Sequence, residues 1–236
     1  MANPAEATTT AVACGDVLTT DTTLTADLTC PAGALTIGAD DVDLDLNSHT
    51  ITGSGTGNGL KATGRQGTTV RNGTITGFTY AIYIDYGGAV LTVSATDRGV
   101  FTRNVFDAFP MGGLHSSSML KHRIVRRNVF NGNKTVGMFV ENSYGSNRAG
   151  PDPVSDNVFV GNGHNPSGLV DRQGQVVQGG IHLASRLAVT PPVTLRNNVG
   201  TGNVGHLIWA PPGTVADGGG NQGPCGPSPN PDLTCW

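Results

Sequence analysis

The stretch VRRNVFNGNKTVGMFVENS, residues 125–143, decides the reading of the fold. It carries Asn128 and Phe130, then Gly137, then an alternating run that places Phe139 and Glu141 on one face and Met138 and Val140 on the other. The phrase recurs along the chain. A near copy, FTRNVFDAFPMGGLHSSS, stands at 101–118, and looser copies are VRNGTITGFTYAIYIDY (70–86), VSDNVFVGN (154–162) with GGIHLAS (179–185), and LRNNVGTGNVGHLIWA (195–210). Ile51, Ile75, Phe106, Phe130 and Phe159 hold equivalent places, at spacings of 24, 31, 24 and 29 residues. A unit of about two dozen residues therefore repeats, with insertions.

Each unit offers two or three short alternating strands split by Gly and Asn turns, and none has a helical period. One unit cannot bury its own apolar face. Stacked units can, as parallel strands about 4.8 Å apart whose inward side chains form continuous columns. The expected chain is all-β, a solenoid over residues 14–210, preceded by a flexible segment at 1–13 and followed by a Pro/Gly-rich cap at 211–236. A β-sandwich or jelly roll would need hairpin turns between alternating strands, and only Asn72-Gly73 lies near such a place.

The repeated phrase N-x-F/I followed by G and an alternating strand resembles that of the pectate-lyase-like superfamily, over roughly residues 15–210. The resemblance implies a right-handed parallel β-helix. It also implies that Asn104, Asn128, Asn157 and Asn198 form a ladder of turn asparagines whose amides bond from coil to coil, a structural role rather than a catalytic one.

Composition agrees with many turns and little helix: 35 glycines and only 13% charged residues in 236. A formal charge of −3 gives no electrostatic footprint for nucleic acid, and no apolar run reaches membrane-spanning length. Cys14 pairs by position with Cys30, and Cys225 with Cys235, giving two local loops that clamp the ends in an oxidising compartment. The opening ANPAEATTTA reads as the polar start of a mature secreted chain. Solenoid ends must be capped, so the strands near Leu24, Leu28 and Leu35 are expected to form one lid. An irregular tail, with Trp236 over the last coil, is expected to form the other, which argues for a monomer. The N-x-[ST] matches at Asn72 and Asn133 carry little weight where Asn, Gly and Thr are so frequent.

The strand after each glycine fixes its register by alternation. Aligning GLKAT (59–63), AIYID (81–85), GLHSS (113–117), GMFVE (137–141) and GIHLA (180–184) gives two outward columns. One holds Lys61, Tyr83, His115, Phe139 and His182; the other holds Thr63, Asp85, Ser117, Glu141 and Ala184. Tyr83, Asp85, His115, Glu141 and His182 are the candidate catalytic groups, since a phenol, two carboxylates and two imidazoles are the material of general acid–base catalysis. Lys61, Ser117, Phe139 and Arg186 are the candidate substrate contacts.

The expected function is a secreted enzyme working by acid–base chemistry on a polysaccharide, of lyase or uronan-epimerase type. Asp85 and Glu141, about 9.6 Å apart at the backbone if two coils separate them, alternatively suit an inverting glycosidase. A non-catalytic glycan-binding or surface-structural role is the competing reading, and a cyclase or isomerase on a small metabolite is a third. No cofactor is expected, with calcium as the alternative, since pectate lyases of the resembled fold bind it through carboxylates. Asp43 and Asp45 offer only two acids where a calcium site needs more oxygens, and a solvated face is the simpler account. His115, Glu141 and His182 are too widely spaced to share a metal, and the basic run KHRIVRR (121–127) belongs to another face.

Overall fold

The computed structural model describes residues 11–63, 65, 68–85, 100–102, 105–107, 112–116, 124–141, 153–164, 167–171, 173–184, 192–227 and 230–236. Among the described residues there is no helix, and the strands form three sheets of nine, eight and seven strands. The chain visits these sheets in rotation. Asn58–Thr63 lies in the nine-stranded sheet, Thr69–Arg71 in the eight-stranded, Thr74–Thr76 in the seven-stranded, and Tyr80–Asp85 returns to the first, parallel to Asn58–Thr63. The short strands of the eight- and seven-stranded sheets follow from the sequence, because two to four residues are bounded each time by a turn, while the strand after each glycine runs to five or six.

The inward columns are those the alternation predicts. Leu35, Leu60, Ile82, Leu114, Met138, Ile181 and Ile208 pair in succession down the nine-stranded sheet. Leu60, Ile82, Ile181 and Ile208 are fully buried. In the seven-stranded sheet the column runs Leu28, Ile51, Ile75, Phe106, Phe130, Phe159 and Gly200. The Phe130 and Phe159 rings stack with centroids 4.7 Å apart. Gly200 ends the column because Leu207 takes the space; a Cβ at 200 would meet Leu207 Cδ1 at 2.7 Å. Burying each fully enclosed side chain of these columns, such as Ile51, Ile75 or Phe159, contributes about 1.5–3 kcal/mol.

Asparagines hold the turns. Nδ2 of Asn128 donates to Oδ1 of Asn157 (3.1 Å), Asn157 to Asn198 (3.0 Å), and Asn198 to Asn221 (3.1 Å). Asn104 lies outside the described residues. A second ladder, absent from the sequence reading, links Asn133 to Asn162 (2.7 Å) and Asn162 to Asn203 (2.8 Å). Each rung follows a residue with left-handed backbone: Arg127, Asp156, Asn197 and Gly220 before the first ladder, Gly132, Gly161 and Gly202 before the second. That kink turns the asparagine inward. There its amide satisfies buried backbone carbonyls such as Val125 O and Phe130 O. Asn133 is wholly buried, so its glycosylation match is spent on this ladder.

Both disulfides form as the positions predict, with Cα atoms 5.6 Å apart for Cys14–Cys30 and 5.9 Å for Cys225–Cys235. They fit an oxidising, extracellular-type environment. No helix of the described residues is long and apolar enough to cross a membrane. Strand pairing continues beyond residue 210 into the Pro/Gly-rich segment: Val215–Asp217 pairs with Val193–Arg196, and Cys225–Gly226 with Ile208–Trp209. The prolines and glycines there occupy the turns, and strands this short leave room for them. Trp236 does not cover the end of the core. Its side chain is 79% exposed; its backbone is bonded to Gly223 and Asn221, and Leu233 packs inward instead.

Candidate functional site on the outward face of the nine-stranded sheet

Strand pairing assembles the first outward column in the aligned register. Lys61 pairs with Tyr83, Tyr83 with His115, His115 with Phe139, Phe139 with His182, and His182 with Trp209. In the second column Thr63 pairs with Asp85, and Glu141 with Ala184. Of Asp85, His115 and Glu141 the backbone position is described. Ser117 and Arg186 lie outside the described residues.

The side chains of the first column divide into two kinds. Lys61 is exposed, and Tyr83 is half-buried with its ring centroid 5.7 Å from that of Tyr80. Phe139, His182 and Ala184 point to the same face but are buried, His182 at 1% exposure. Residues 167–171 and 173–178 cover them. Leu169 and Val177 join Phe139, Ala184 and Val136 in an apolar cluster separate from the main core.

Asp171 is a residue of this face that the sequence reading missed. Its Oδ2 accepts from His182 Nε2 at 2.9 Å, and its Oδ1 accepts from the backbone N–H of Gln173 (2.8 Å) and Gln175 (2.9 Å). Both side chains are almost wholly enclosed, at 1% for His182 and 0% for Asp171. A carboxylate can only accept, so Nε2 carries the hydrogen, and Nδ1 is the basic atom of the neutral ring. Burial pushes the His182 imidazole below the ordinary histidine value, against the opposing pull of Asp171 and with a small contribution from His206. The Asp171-Arg-Gln-Gly turn signal was present in the sequence, but nothing local showed that this turn folds over the strand that follows it.

The column continues as a run of rings. The His182 ring meets Phe139 edge-on at 5.7 Å and stacks over Trp209 at 6.2 Å; His206 lies 5.4 Å from Trp209. Gly226, the register partner of Trp209, leaves space that the His206 ring fills, since a Cβ there would meet His206 Nε2 at 2.5 Å. The indole Nε1 of Trp209 is buried with no hydrogen-bond partner. Elsewhere, Asp43 and Asp45 are both engaged by Arg71, through Nε at 3.1 Å and Nη1 at 2.5 Å. Among the described residues no group of three His, Cys, Asp or Glu side chains converges as a metal site.

No protein-family model, curated protein or solved structure matches this chain.

Proposed function

We propose that the chain is a right-handed parallel β-helix that acts by acid–base chemistry on a polysaccharide, as a lyase or uronan epimerase, along the outward face of the nine-stranded sheet. The rotation of the chain through three parallel sheets supports the fold, and the right-handed sense is the one nearly all parallel crossovers take. One observation carries the function. Lys61, Tyr83 and His115 are register partners on three adjacent strands, so residues bearing a cation, a phenol and an imidazole hold consecutive backbone positions about 4.8 Å apart. A uronate suits that set: the ammonium would attract its carboxylate, and the phenol and imidazole would remove and return a proton at the neighbouring carbon. The resemblance of the repeated phrase to the pectate-lyase-like superfamily bears on the fold alone, so the assignment rests on the column.

A second reading, a non-catalytic glycan-binding β-helix, is favoured by the enclosure of His182, which takes one imidazole out of reach of a polymer. The two readings part in one experiment. The protein, Tyr83→Phe and His115→Ala are incubated with neutral and acidic polysaccharides, following ultraviolet absorbance from a new conjugated double bond, new reducing ends and exchange of sugar C–H for deuterium. Absorbance or exchange with an acidic polymer, reduced about a hundredfold or more in each variant, is the expected result. Reducing ends alone would point to hydrolysis by Asp85 and Glu141. Polymer binding without any of the three signals would replace the enzyme by the binding module.

A further inference from the structure

The insertion between Val158–Val160 and Gly179–Ala184 leaves the three sheets and closes on itself. Val170 and Val176 bridge antiparallel, Asp171 N–H donates to Gln175 O (2.8 Å), and Val177 N–H donates to Leu169 O (2.9 Å). Among the described residues this hairpin pairs with none of the sheets. Its attachments among the described residues include Ser167 N–H to Thr135 Oγ1 (2.9 Å), the small cluster of Leu169 and Val177 on Phe139 and Ala184, and the Asp171–His182 bond. Val170 and Val176 face away, at 51% and 47% exposure, so the hairpin is one layer thick.

We propose that this hairpin is a strap across the outward face, pinned by the Asp171–His182 hydrogen bond and released when His182 takes up a proton. The Asp171 carboxylate is fixed into the hairpin turn by two backbone amides through Oδ1, and its Oδ2 meets the sheet at His182. The groups facing the ring are Asp171 from the hairpin, His206 ahead of Ile208–Trp209, and the Phe139 and Trp209 rings beside it. Among the described residues an imidazolium there has Asp171 as its one anion, and it loses nearly all its hydration. The closed strap therefore prefers the neutral ring. The sign follows: with the closed-state value lowered, closure is fully favoured above the ordinary histidine range and is lost as pH falls through the closed-state value. Opening uncovers Phe139, His182 and Ala184, and joins them to the accessible Lys61–Tyr83 end of the column.

Hydrogen exchange followed by mass spectrometry tests this without reference to any substrate. Amides of 169–177 are compared with those of the Met138–Val140 and Ile181–Leu183 segments at about pH 7.5 and about pH 5, corrected for intrinsic rates. We expect hairpin protection to fall about tenfold or more at the lower pH while the strands keep theirs. His182→Gln, which retains an N–H toward Asp171 and cannot titrate, should leave hairpin protection the same at both. Protection unchanged or increased by acid, lost in hairpin and strands together, lacking at both pH values, or still acid-sensitive in His182→Gln would each overturn the strap.

Discussion

The two ends of one outward column differ in what lies over them. At the Lys61–Tyr83 end the side chains reach solvent, whereas at the Phe139–His182 end a hairpin from a later insertion encloses them. Strand pairing treats both ends alike, since each residue occupies the same register position on successive strands. The difference therefore arises from a tertiary contact. An outward position on a sheet is a site only where nothing else is packed on it, and alternation alone does not report that.

Substitutions at the two ends should separate accordingly. The largest effect is expected at His182. Replacing it by alanine leaves the Asp171 carboxylate enclosed without its imidazole donor, and docking of the hairpin should weaken by about 1.5–3 kcal/mol. Limited proteolysis within 167–178 measures this, and cleavage as slow as in the unmodified protein would mean the pin carries no weight. Val177→Ala removes two buried methyl groups from the small cluster and should cost docking about 1.5 kcal/mol, read by the same cleavage rate. At the open end Lys61→Ala should change thermal stability by less than about 0.5 kcal/mol, because an exposed side chain away from any network is replaced. Its effect should instead be on affinity for an acidic polymer, measured by titration. A large stability loss at Lys61 would erase the distinction between the ends.

Much of the interior was legible in the sequence. The pairs Leu60/Ala62, Met138/Val140 and Ile181/Leu183 follow from period-two alternation after a glycine, and the register they imply is the one observed. The Asn128–Asn157–Asn198 ladder was equally readable, since its residues share one phrase. The second ladder was legible but overlooked: NVFNGN, NVFVGN and NVGTGN each end in Gly-Asn, and those glycines supply the left-handed turn that aims Asn133, Asn162 and Asn203 inward. Asp171 was not legible. Its role depends on a hairpin folding back onto a strand eleven residues later, and an insertion carries no periodicity that states where it docks. Asn221 and the last strands were hidden for another reason, since Pro and Gly in the turns outnumber the two or three residues of each strand.

The most direct test of the two-ended column is acylation of the native protein at about pH 7.5 with a reagent that modifies both amines and imidazoles, with rates by residue from mass spectrometry. The account predicts that Lys61 and the exposed His164 react rapidly and that His182 reacts about tenfold or more slowly, with the gap closing in His182-competent variants that lack the pin, such as Asp171→Ala. His182 modified as fast as His164 in the unmodified chain would contradict it, and the whole column would then be one open face.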